Sequence, residues 1–280
     1  MRTVVRTHEP LLARPAEFFG CVWRDLRRSR SLAVEMAKRD IRSQYRRALL
    51  GPAVVVLSPL ALTALAVGFR RTGILKVDSS AVPYALFVLA GVILWTTFVD
   101  AMYAPIHAFV AEQRLLARTN APPEAIALGK LGPVFLNLLL RMALLLVAIA
   151  AYRISLPATA LLAPLGLLSL AALGTAIGFL IAPINFLYRD ISWVLATLTT
   201  LWFFFTPVYF PAPSGGPVGA LMRLNPVTPL LSDTRSLILT GTVSHLLPSL
   251  IVTLGACLFL IVCWLYVRLV LRVATEQMNE

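Results

Sequence analysis

Few residues in this chain are spaced to make or break bonds. His8, His107 and His245 lie far apart, the 13 acidic residues are dispersed, and Cys21, Cys257 and Cys263 form no metal-binding or disulfide pattern. No Gly-x-x-x-x-Gly-Lys-Ser/Thr loop occurs that would cradle the phosphates of a nucleotide. The polar and aromatic residues that stand out suit binding and mechanical work instead. Asp100 and Arg141 fall inside apolar runs, where an ionisable group faces a cavity or a partner. Either the two pair, or Asp100 reaches interfacial water while Arg141 meets a carbonyl. The run Trp202 to Phe210 places six aromatic residues in nine positions, and Trp95 and Phe98 add rings further from a span end. This is either a thick interfacial belt or a surface whose ring faces stack on the C–H faces of sugars.

Six long apolar stretches must position these groups, at about 49–69, 82–104, 131–152, 158–182, 191–210 and 246–270. Each approaches or exceeds the roughly 20 residues a helix needs to cross the hydrocarbon core. Hydrocarbon offers no partner for a free N–H or C=O, so the backbone there must be helical. The fold class read from the sequence is therefore an all-α membrane protein with six transmembrane helices. Of the 280 residues, 59% are hydrophobic, which excludes disorder and an ordinary soluble enzyme.

The net charge of +12 does not indicate nucleic acid, because 12 of the 25 Lys and Arg residues precede residue 49. That bias places the N-terminus in the cytoplasm, and six spans return the C-terminus there. The first 48 residues lack the apolar core of a signal peptide, so the first span is expected to serve as its own insertion signal. The organisation reads as a basic cytoplasmic arm over 1–30, an amphipathic interface helix over 31–48, a transmembrane domain over 49–270 and a cytoplasmic tail over 271–280.

In the 31–48 helix, Val34, Ala37, Ile41, Tyr45 and Ala48 share one face, while Glu35, Lys38, Arg39, Arg42 and Arg46 fall on others. Such a helix is an anchor in the inner interface or a lever touching a cytoplasmic partner. The loop over 105–130 predicts a short helix, a break at Pro122-Pro123 and a second short helix, which together make a stiff elbow or a plain connection. Gly174 and Gly178 form a small-residue face for close helix approach. Outside, Asn225-Pro226 and Thr228-Pro229 are helix starts, and Gly241 ends a helix too short to span. It would lie in the outer leaflet or dip back into it.

Two stretches resemble a known family. The stretch Lys38-Arg39-Asp40-Ile41-Arg42-Ser43-Gln44-Tyr45-Arg46-Arg47-Ala48-Leu49-Leu50-Gly51-Pro52, with Pro59 beyond, resembles the entry segment of ABC-2 type permeases that export polysaccharides. Leu224-Asn225-Pro226-Val227-Thr228-Pro229, with Asp233 and Arg235, resembles that family's external gate segment. Val82-Pro83-Tyr84, Gly91, Trp95 and the turn Tyr188-Arg189-Asp190-Ile191 also fit, so the likeness spans about residues 30–270.

The resemblance implies a multi-pass permease of the plasma (bacterial inner) membrane that exports lipid-linked polysaccharide, such as O-antigen, capsule, galactan or teichoic-acid polymer. It implies a homodimer working with two copies of a separate ATPase. ATP and Mg would sit on that partner subunit, and this chain would bind no cofactor. Channel or substrate contacts would come from Trp95, Phe98, Trp202, Phe203, Phe204, Phe205 and Tyr209. The external gate would comprise Asn225, Pro226, Pro229, Asp233 and Arg235, within short re-entrant helices between spans five and six. ATPase coupling would use Asp40, Tyr45, Arg46, Arg114, Pro122, Pro123 and Glu124, through the interface helix and an elbow over 112–128. That elbow carries Ala121-Pro122-Pro123-Glu124 where the family's usual pattern is Phe-Pro-Arg-Glu. The rival classes are an ion-coupled secondary transporter, which would need intramembrane charges as coupling sites, and a membrane-bound glycan transferase, which would need a clustered acidic or histidine site.

Overall fold

A computed structural model describes residues 15–46, 51–73, 82–118, 123–188, 190–212, 215–242 and 246–277. The described residues are helical or irregular, with no strand among them. In chain order the helices are α1 (Pro15–Arg46), α2 (Ala53–Arg71), α3 (Tyr84–Ala111), α4 (Gln113–Arg118), α5 (Pro123–Ala151), α6 (Ala163–Leu187), α7 (Ile191–Phe204), α8 (Gly216–Leu224), α9 (Val227–Leu239) and α10 (Leu246–Gln277). A 3-10 turn, Ala158–Leu162, leads into α6.

Among the described residues, α2, α3, α5, α10 and α6 with its leading turn are long and apolar enough to cross a membrane. The helix of the sixth expected span is shorter than the sequence predicts. α7 has 14 residues, about 21 Å of helix against a hydrocarbon core of about 30 Å. Residues 205–210 of the predicted span turn away instead, because the chain must pass Pro207.

Other boundaries move for equally local reasons. α1 begins at Pro15, so half of the arm read as irregular is helical. Proline suits a first helical position, where its missing N–H costs nothing. The second short helix expected in the elbow is the first part of α5, continuous with span three. Gly51 and Pro52 do break the line before α2, with Gly51 at φ +50°, a conformation that costs glycine nothing sterically.

α3 is buried almost all round and forms the centre of the bundle. α6 lies along it, and Gly174 and Gly178 set the approach. A methyl group added at Gly178 would meet the Met102 carbonyl and the Pro105 ring, and one at Gly174 the Phe98 carbonyl. Lipid tails are as apolar as leucine, so helices here associate by such close packing rather than by escape from water. α2, α5 and α10 keep most of their apolar surface on the outside of the chain.

Three buried clusters stack along the bundle. One joins the ends of α3, α5 and α9 through Leu86, Ile93, Leu145 and Ile238. The middle one carries Trp95 and Phe98. The third gathers Met36 of α1, Phe109 of α3, Ile126 of α5, Phe186 of α6 and Val267 of α10. α1 is therefore packed into the bundle at its elbow end, principally against α5. A methyl at Gly129 would lie 2.8 Å from the Met36 side chain, so the α1–α5 approach is close. Ala33 and Met36 are buried there, whereas Val34 of the predicted apolar face is exposed.

Candidate functional site

Of the predicted aromatic residues, Trp95, Phe98, Trp202, Phe203, Phe204 and Tyr209 meet in one layer between α3 and the end of α7. Trp95 lies 6.2 Å from Trp202 and 5.7 Å from Phe203, both edge-on, and Phe98 lies 5.3 Å from Trp202. Phe203 continues the layer to Tyr209 at 4.9 Å and to Phe204 at 5.8 Å. Edge-to-face pairs at these distances are attractive because ring edges are positive and faces negative. The structure divides the set. Phe98 is fully buried and Trp95 nearly so, which makes them the base of the layer within one subunit. Trp202, Phe203 and Tyr209 are half-buried, and Phe204 and Phe205 project outward at 59% and 42% exposure.

The residues expected at an external gate lock the turn that follows this layer. The Asn225 amide donates to Thr206 Oγ1 at 2.9 Å and to the Phe205 carbonyl at 3.2 Å, while its Oδ1 accepts from the Val227 N–H at 3.0 Å. Asn225 thus caps α9 and ties its start to the end of α7. Pro226 is the residue before α9, and Pro229 lies in its first turn. Gly241 ends the helix at φ +77°, as the sequence predicts.

Arg235 is buried at 5% exposure. Its Nη1 donates to the Pro207 carbonyl at 2.8 Å, and its guanidinium sits 3.6 Å over the Phe87 ring. Gly91 makes room for it, since a methyl there would come within 3.3 Å of that Nη1 and 2.7 Å of the Val208 carbonyl. Asp233, also buried, accepts the Ser249 hydroxyl of α10.

A polar seam runs along the inner part of the bundle. Asp40 of α1 pairs with Lys130 of α5 at 2.6 Å, and Tyr45 donates to Asn137 Oδ1 at 2.9 Å. Burial raises the Tyr45 phenol above its ordinary pKa, so it stays a donor. Arg39 pairs with Asp40 and with Glu112, and the Glu112 bond holds the guanidinium above its ordinary value. Because Glu112 joins α3 to α4, that bond connects α1 to the elbow. Further in, Arg141 donates to Asp100 at 2.7 Å, so the pairing that the sequence left open is made. A cavity of about 410 Å³ opens along this seam, lined by Asp40, Gln44, Asp100, Tyr103, His107 and Asn137 among others.

The remaining predicted coupling residues are dispersed. Arg46 is exposed at the end of α1. The Arg114 side chain and Pro122 lie outside the described residues, and Pro123 starts α5. Glu124 points inward at 3% exposure and meets Arg268 of α10 at 3.3 Å. Sequence reading missed Lys130, Asn137, Arg268 and Ser249. Lys130, Asn137 and Arg141 recur at intervals of seven and four on one face of α5, a polar stripe that the helical period exposes. Arg268 and Ser249 carry no such signal, because their partners come from distant helices.

The arrangement offers stacked rings, a capped helix and paired charges. The model of the ABC-2 type transporter family matches residues 32–239, from α1 to the end of α9. The chain belongs to the ABC-2 type transporter family. The permease is 25% identical over 217 residues to the O-antigen export system permease protein RfbA of Myxococcus xanthus, covering 76% of this chain and 82% of that one. It is 21% identical over 218 residues to the protein of the same name from Klebsiella pneumoniae, again covering 76% and 82%. It is accordingly a multi-pass transmembrane subunit of the plasma membrane. The matched region contains the aromatic layer, the polar seam and α9, whereas α10 lies beyond it.

Proposed function

We propose that this permease exports a lipid-linked polysaccharide, as a homodimer driven by two copies of a separate ATPase subunit that carries ATP and Mg. The observation that carries the reading is the aromatic layer, whose base is sealed inside one subunit while Phe204 and Phe205 are presented outward. Exposed rings beside a capped turn suit a polymer of sugars sliding past, because stacking on C–H faces is tolerant of register. The relatives' names, O-antigen export permeases, point to the same substrate class. In this reading α7 rises from the elbow end to the aromatic layer and completes the sixth crossing together with the turn after it, α8 and α9 are re-entrant from outside, and both termini are cytoplasmic.

Coupling enters at the opposite end. Exposed Arg39, Arg42 and Arg46 on α1, together with the elbow over 112–128, would be the docking surface for the ATPase. The decisive experiment is reconstitution of the permease with its ATPase in vesicles. ATP-dependent transfer of labelled glycolipid across the bilayer is the expected result, and ATP hydrolysis without transfer of any glycolipid would end the proposal. For topology, a cysteine replacing Ser214 should label from outside and one replacing Ser29 should not; the reverse pattern would refute it.

A further inference from the structure

α10 is held by polar contacts at two levels about one membrane thickness apart. At its inner level Arg268 meets Glu124, the second residue of α5 and the end of the elbow, at 3.3 Å. Both side chains are buried, at 5% and 3% exposure. Among the described residues the Glu124 carboxylate accepts no hydrogen bond, so the Arg268 charge and the N-terminus of α5 are what offset its desolvation. At the outer level Ser249 donates to Asp233 of α9 and, at 3.3 Å, to the Pro229 carbonyl. From residue 249 to residue 268 a helix rises about 28 Å, close to the roughly 30 Å hydrocarbon thickness.

Between these levels α10 meets α6 through apolar and small side chains such as Ala256 and Cys263, plus the hydroxyl pair Thr253–Ser169 at 3.1 Å. Apolar helix faces permit small sliding shifts of the shear kind. The ends differ, because a buried ion pair and a part-buried carboxylate–hydroxyl bond keep their partners together.

We propose that α10 is a connecting rod, in which the Glu124–Arg268 pair passes displacement of the elbow to α10 and the Ser249–Asp233 contact passes it to the gate helix α9. Glu124 is then a positioning residue acting inside the permease, not a docking contact for the ATPase. The inference rests on the exporter reading and adds a route by which hydrolysis outside the membrane reaches the external gate. The two arginines divide the work: Arg39 ties α1 to the elbow from the exposed side, and Arg268 ties α10 to it from within.

The test uses the reconstituted permease–ATPase complex and glycolipid extracted from the same cells and labelled on its sugars. The readout is glycolipid moved per ATP hydrolysed, a ratio that loss of folded protein does not change. Glu124→Gln is expected to lower that ratio at least fivefold. The exchange of both charges, Glu124→Arg with Arg268→Glu, is expected to recover at least half of it. Ser249→Ala, which removes one oxygen at a half-buried position, is expected to lower the ratio at least twofold and decides the matter should the Glu124 variant not assemble. A ratio unchanged in Ser249→Ala, or unchanged in an assembled Glu124→Gln complex, overturns the rod while leaving the exporter reading intact. No ATP-dependent transfer by the unsubstituted complex removes both.

Discussion

The α9 cluster and the inner seam are both polar constructions in an apolar bundle, yet they are built on opposite terms. Around α9, Asn225, Asp233 and Arg235 are all buried, and their partners include carbonyls and hydroxyls of the turn after α7 and of α10. In the seam the Arg39 side chain remains 53% exposed and its partners Asp40 and Glu112 are 13% and 14% exposed. Water competes for the second set and not for the first. A buried donor stranded by loss of its acceptor costs about 1–3 kcal/mol, whereas an exposed ion pair contributes about 0–1 kcal/mol. The α9 cluster is therefore held as a unit, whereas the seam can exchange partners at low cost.

The largest effects should come from breaking the rigid side. Gly178→Leu drives a side chain into the Met102 carbonyl and Pro105 of the central helix. Overpacking typically costs 1–3 kcal/mol, and a backbone obstacle puts this site at about the upper end. The expected result is little monodisperse protein after detergent extraction, read by size-exclusion chromatography; a normal yield and elution would show that α3 and α6 separate easily. Arg235→Leu leaves the Pro207 carbonyl unpaired and removes the cation from Phe87. It should lower the melting temperature by several degrees and cut export, and an unchanged melting curve would dissolve the claim that the α9 cluster is held as a unit.

Intermediate effects separate layer from surface. Trp202→Leu removes edge contacts to both Trp95 and Phe98, so it should cost about 1 kcal/mol and reduce export. Phe204→Leu acts on an exposed ring and should leave the melting temperature alone while still slowing glycolipid transfer. Equal, normal export by both would return the rings to the status of a belt. The smallest structural effect belongs to Arg39→Ala, expected to shift stability by less than about 1 kcal/mol while weakening ATPase binding severalfold. A stability loss as large as that of Arg235→Leu would erase the contrast between the two regions.

Patterns that act within one helix could be read before the fold was known. Apolar length declared the membrane helices, Gly174 and Gly178 declared the close face of α6, and Asn225-Pro226 with Gly241 bounded α9 nearly to the residue. These are local facts: hydrogen-bond satisfaction in hydrocarbon, the absence of a Cβ, and the conformations that proline and glycine allow. What crosses from one helix to another was decided by the tertiary structure. Asp100 and Arg141 stand 41 positions apart, and whether they pair depends on how α3 and α5 are offset along the bundle. Glu124 reads as a cytoplasmic charge, yet its burial depends on α10 delivering Arg268, which follows it by 144 positions. Apolar content gave 191–210 as a spanning helix, but Pro207 and the demand of Asn225 and Arg235 for the carbonyls of Phe205 and Pro207 turn the chain after Phe204. Composition and period determine that a segment is helical and which solvent it tolerates; only the packing of distant segments determines which buried charge finds its partner.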